Sequence, residues 1–319
     1  MEQVCNNSNP PSSPQENMSA KLKNLVNLLI STFNKSENHQ DSQNAKIKFR
    51  EGVFELATNY EYPQAMSLFA FCNLNGIGGL CNYKEYMFWT DKAIKYNEPL
   101  SVMLRAEYDL KMLVYAVNNM KSNLDYSELR YDLIANFFYG LYQIKTYRNY
   151  SFKLEASKNI LEFVKTQKDP YMLYVLGSEE RNYDLLKKSS NRGFIPAKCC
   201  IAYNHFIVDR SLNNKTVVNF YKICIKQQYH VACYQLAWYV LHKDESPFII
   251  GYNVYDLLMI GVKQMCSEFY HLISSYYCVF KPDIIKELSW KRACRDLNPE
   301  YRNFEQYIHF QCRYIYMMC

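Results

Sequence analysis

His230-Val231-Ala232-Cys233 and His309-Phe310-Gln311-Cys312 each set an imidazole and a thiol one helical turn apart, the spacing of two ligands on one metal ion. The chain holds twelve cysteines. A structural zinc site takes four ligands, however, and no Cys-x2-Cys pair accompanies either couple. Cys199 and Cys200 do not help, because adjacent side chains on a helix diverge by about 100°. Glu179, Glu180 and Asp184 offer carboxylates for acid–base work, and a charged segment between helices explains them equally well. Asn75-Gly76-Ile77-Gly78-Gly79 resembles a phosphate-cradling loop, but the residues before it read as a helix, and a dinucleotide site needs a strand there. The chain contains no Gly-x-Ser-x-Gly, no Gly-x4-Gly-Lys-Ser/Thr and no His-Glu-x2-His. No catalytic residue, cofactor or metal is therefore expected, and the chain does not read as an enzyme.

The elements that carry these residues follow a clock. Ala70, Ala106, Gly140, Gly177, Ala202, Ala237 and Ile273 recur at intervals of 36, 34, 37, 25, 35 and 36 residues. Five residues upstream of each stands a second position that opens the unit: Ala65, Ser101, Ala135, Met172, Ala197, Ala232 and Glu268. A period of this length is the mark of stacked helix-turn-helix units. Small side chains at the seam let paired helices approach closely while larger neighbours fill in around them. The expected fold is all-α, an α-solenoid of about seven antiparallel helix pairs with a helical C-terminal cap.

The unit from Ala65 carries a family pattern. Ala65, Phe69, Ala70, Gly76, Gly78, Tyr83, Trp89, Lys92 and Ala93 fall in register on A-x3-L-G-x2-Y, G-x-G and W-x2-K-A. The chain thereby resembles the Sel1-like repeat family, related to tetratricopeptide repeats, over about residues 45 to 280. That resemblance implies a non-enzymatic platform for protein partners, as in signalling, protein degradation and host–pathogen contact. Some secreted bacterial members cross-link their units through two cysteines eight residues apart. Here Cys224 and Cys233 are nine apart and no other unit has the pair; free buried thiols acting as small hydrophobes are expected instead.

Composition agrees with a helical stack. Nine Gly and ten Pro in 319 residues disfavour an all-β fold with many tight turns. The net charge of +6 is modest, and no run of five basic residues occurs, so no nucleic acid is expected. The rival reading is an RNA-binding helical-repeat protein of similar period, whose base-selecting pairs are missing here. Thirty Tyr with abundant Asn, Lys and Ile match codons rich in A and T, a bias that points to a viral or parasite factor acting on host proteins. The N-terminus lacks the apolar region of a secretory signal, and no run of eighteen apolar residues occurs, so a cytoplasmic protein without membrane contact is expected.

The organisation reads as a disordered tail over 1–20, a helix and polar linker over 21–44, the solenoid over 45–280 and the C-terminal helical cap over 281–319. Counting from each opening residue, positions +2 and +6 should line the concave face. They place Phe137, Tyr174, Tyr203, Tyr234, Trp238 and Tyr270 there as candidate partner-binding residues, densest in the C-terminal half. The segment Tyr301 to Cys319 is apolar nearly all round, so it either folds back onto the stack or forms a homodimer contact.

Overall fold

A computed structural model describes residues 14–32, 40–106, 170–179, 181–209, 214–243, 246 and 248–297. Its helices are α1 (Pro14–Ile30), α2 (Gln40–Asn59), α3 (Pro63–Asn75), α4 (Tyr83–Ile94), α5 (Pro99–Ala106), α6 (Pro170–Glu179), α7 (Tyr183–Asn191), α8 (Ile195–Asp209), α9 (Lys215–Lys226), α10 (His230–Lys243), α11 (Val254–Lys263), α12 (Ser267–Val279) and α13 (Ile284–Leu297). Each helix packs on its neighbour in sequence within the described stretches, and first helices also stack on first helices: α3 on α5, α6 on α8, α8 on α10, and α10 on α12. That double pattern makes the fold an all-α solenoid of helix pairs.

The seam residues behave as their size requires. Ala65, Ala70, Ala197, Ala202, Ala232, Ala237 and Ile273 are fully buried. At Gly177 an added Cβ would lie 2.8 Å from the backbone nitrogen of Leu186, so α6 and α7 touch where any side chain would intrude.

Short polar signals set the helix ends. From α4 on, each described second helix of a pair opens on an Asx residue: Asn82, Asn182, Asn214 and Asn253 cap α4, α7, α9 and α11, and Asp283 accepts from the Lys286 amide at α13. The turns back to the next first helix share one geometry. The amides of Glu98, Phe194, Tyr229 and Cys266 donate to the carbonyls of Ala93, Ser189, Cys224 and Gly261, each five residues back. The residue before each of them, Asn97, Gly193, Gln228 or Met265, takes a positive φ. This is the Schellman closure, repeated unit after unit.

Three features depart from the sequence reading. α1 starts at Pro14, inside the stretch read as a tail to residue 20: proline suits the first turn, and Leu22, Val26 and Leu29 then bury at helical spacing. α2 starts at Gln40, ahead of the expected boundary at 45, and Phe49, Val53 and Leu56 share one core with α1 and α3. A two-stranded hairpin, β1 (Phe248–Ile249) with antiparallel β2 (Tyr252–Asn253), joins α10 to α11 in an otherwise helical structure.

The N-terminal helices do more than precede the later units. Lys46 donates to the Arg192 carbonyl at 3.4 Å, and the Cys81 amide to the Gln227 carbonyl at 3.0 Å. Phe71 meets Tyr171 edge to face at 5.0 Å. The block α2–α4 therefore lies against the turns of the later stack.

Candidate binding surface

Position +2 of α3, α8 and α10 is a joint between units. In α3, Ser67 bonds to the buried Glu98 carboxylate and shares a 2.6 Å hydroxyl contact with Ser101 of α5. In α8, the Cys199 thiol donates to Gln235 of α10 at 3.3 Å. In α10, Tyr234 packs edge to face on Phe269 of α12, ring centres 5.8 Å apart. These partners lie 31 to 36 residues away, one repeat on.

The candidate residues therefore separate. Tyr234 serves the α10–α12 joint. Tyr270 is wedged on the side of the second helices, its ring 5.5 Å from Trp290 of α13 and its hydroxyl donating to the Val262 carbonyl of α11 at 3.4 Å. Tyr174 packs 5.4 Å from Phe194 and against the small cluster of Leu186, Cys200 and Ile201. Phe137 lies outside the described residues. Tyr174 and Tyr234 thus pack toward the next unit, whereas Tyr270 packs on the second helix of its own pair.

Position +6 is mixed. Phe71 and Ser274 are buried, whereas Tyr203 and Trp238 are half-buried at the same register position of successive helices α8 and α10. Trp238 is shaped further by His242, one turn on. His242 Nδ1 donates to the Trp238 carbonyl at 2.8 Å, and the two rings stack at 4.0 Å. Sequence reasoning did not single out His242, although its i+4 spacing from Trp238 was there to read.

The other constellations resolve into packing. His230 lies between the rings of Tyr83 (4.9 Å) and Tyr229 (5.6 Å). Cys233 is buried in the same core cluster as Cys81 and Cys224; burial, reinforced by the Cys224 thiol, pushes the Cys81 and Cys233 thiols up, so both stay protonated. Cys224 and Cys233 are free thiols, as are the other described cysteines. Cys199 bonds toward α10, whereas Cys200 accepts from Asn204 on its own helix. Among the described residues no three His, Cys, Asp or Glu side chains gather around a metal position. His309 and Cys312 lie outside them.

Asp184 is exposed in the first turn of α7, its amide on the Asn182 side chain. The side chains of Glu179 and Glu180 lie outside the description. The glycine loop is filled from within the protein. Arg50 donates to the Asn73 side chain at 2.6 Å and to the Leu80 carbonyl at 3.2 Å. A Cβ at Gly78 would sit 2.3 Å from the Lys46 carbonyl oxygen. Those glycines serve a close approach to α2. Among the described residues no helix is long and apolar enough to cross a membrane.

No protein-family model matches the sequence, and no curated protein matches it. The solved structures that match include the following two. One is a Sel1 repeat protein from Oxalobacter formigenes, 11% identical, with a TM-score of 0.38 over 94% of this chain and 90% of that one. The second is a protective antigen present in uropathogenic Escherichia coli strains and displaying an SLR fold, 12% identical, with a TM-score of 0.40 over 88% of this chain and 62% of that one.

Proposed function

We propose that this chain is a non-enzymatic intracellular adaptor that holds partner proteins on the face built by its first helices. The observation that carries this reading is the register of Tyr203 and Trp238, half-buried on successive helices, with Trp238 stacked on His242. Rigid aromatics in such rows are the usual anchors of protein interfaces, and a stack of helix pairs offers them as an extended surface. Free, mostly buried thiols suit a reducing compartment. The A- and T-rich codon usage implied by the Tyr, Asn, Lys and Ile content supports a viral or parasite factor whose partners are host proteins.

The test is affinity capture from the native host cell with the full chain and with Trp238→Ala/Tyr203→Ala, each with and without nuclease. The expected result is loss of the captured protein in the double variant, with helix content and melting unchanged. Capture that survives in the double variant moves the site elsewhere. Capture abolished by nuclease and by rising salt replaces this reading with an RNA-binding one.

A further inference from the structure

The last described helix carries an uncovered apolar face. Trp290 and Cys294 of α13 turn toward α12, where Trp290 meets Tyr270 and the Cys294 thiol donates to the Ser267 carbonyl at 3.5 Å. On the far side Ile284, Ile285 and Leu288 are 63%, 75% and 55% exposed. Exposed Arg292 and Arg295 continue that face toward the helix C-terminus, and neither forms an ion pair with a described residue. Earlier second helices are each covered by the first helix that follows: α4 by α5, α7 by α8, α9 by α10 and α11 by α12. The terminal helix of a solenoid normally presents a polar outer face, and three exposed aliphatics do not fit that rule.

We propose that residues 301–316 cover this face in cis, as the first helix of one more unit running antiparallel to α13. The sequence after α13 repeats the signals that open earlier first helices. α3, α5 and α6 begin at Pro63, Pro99 and Pro170, α8 has Pro196 as its second residue, and Pro299 stands two residues beyond Leu297. Tyr301, Phe304, Ile308 and Ile315 then recur at helical spacing.

Both helices rise by about 1.5 Å per residue, so equal steps back from Leu297 and forward from Tyr301 stay level. On the same helical face as Tyr301 and Phe304, Ile308 then lies level with Trp290, between Leu288 and Arg292, and Ile315 level with Asp283, beside Ile284. Glu305 falls level with Ala293, between Arg292 and Arg295. Apolar contact at one end and charge complementarity at the other fix both the direction and the register.

Hydrogen exchange by mass spectrometry on the full chain, with sedimentation equilibrium on the same samples, tests this. A monomer with protected amides across 301–316 is expected. Ile285→Asp/Leu288→Asp should speed exchange across 301–316 on the order of tenfold or more while α8–α12 keep their protection. Arg295→Glu and Glu305→Arg should each weaken that protection, and the two together should restore it. Unprotected 301–316 amides in the wild-type chain, or protection that none of these variants changes, would overturn the proposal. Protection that disappears on dilution together with a dimer mass would overturn it too, by showing that a second copy covers the face.

Discussion

The backbone amide of Tyr83 donates to Gln264 Oε1 at 3.1 Å, and Gln264 Nε2 donates in turn to the Gln228 carbonyl at 2.8 Å. One buried side chain thus ties the start of α4 to two successive turns of the later stack, across 181 residues. Units of a solenoid ordinarily touch only their neighbours, so this link extends cooperativity beyond nearest-neighbour coupling. Gln264→Leu removes both bonds, from the half-buried Tyr83 N–H and to the Gln228 carbonyl, and should cost about 1 kcal/mol in urea unfolding. Exchange should rise at Tyr83 and around Gln228 together. A rise confined to Gln228 would mean that the long-range bond carries no stability.

The repeated Schellman turns make a second prediction, of opposite sign. Gln228 and Met265 hold φ of 55° and 58°, where a Cβ crowds the backbone, while Gly193 fills the equivalent position of the preceding turn with no such penalty. Gln228 and Met265 are both exposed, so little packing is lost on truncation. Gln228→Gly and Met265→Gly should each stabilise the chain by about 1 kcal/mol. Thermal melts with unchanged or lower midpoints would show that the turn is not strained.

Close approach along the seam gives a third. Ala202→Leu or Ala232→Leu should overpack a helix pair and cost about 1–3 kcal/mol. Gly261→Ala is the sharper case, because alanine favours helix by about 1 kcal/mol over glycine, yet its Cβ would lie 2.1 Å from the Phe269 ring. Gly261→Ala should therefore lower the melting midpoint, and the double variant with Phe269→Leu should recover part of the loss. A stabilised Gly261→Ala would mean that α11 and α12 leave room for a Cβ between them.

These positions also mark how far the sequence could be read. Ala65, Ala70, Ala197, Ala202, Ala232 and Ala237 were legible because a helix crossing imposes residue size directly, and size repeats. The joints were not. Position +2 holds a serine bonded to Glu98 in one unit, a cysteine on Gln235 in another and a tyrosine on Phe269 in a third. The geometry repeats there while the chemistry changes, so aromatic content alone did not show that Tyr234 packs on Phe269 and Tyr270 on Trp290. Gln228 and Met265 hid the left-handed turns, since neither is a glycine. The Tyr83–Gln264 bond leaves no periodic trace at all.

Acid should weaken the stack through two histidines. Burial of His230 between Tyr83 and Tyr229 lowers its pKa from 6.5 to about 4. His271 on α12 is also lowered to about 4, first by burial and then by the positive charges of Lys291 and His242. Both are neutral in the fold at pH 5, whereas the unfolded chain has taken up a proton at each, and stability rises with pH wherever the unfolded state binds more protons. No penalty operates above about pH 6.5; it grows as the pH falls toward about 4 and levels off below it. Glu61 and Asp283, lowered by Lys92 and by the Lys286 amide respectively, add their loss further down, below the ordinary carboxylate range. Urea midpoints at pH 7, 6 and 5 should therefore fall steadily, and His230→Gln/His271→Gln should flatten that fall. An equally steep fall in the double variant would place the proton uptake on other groups.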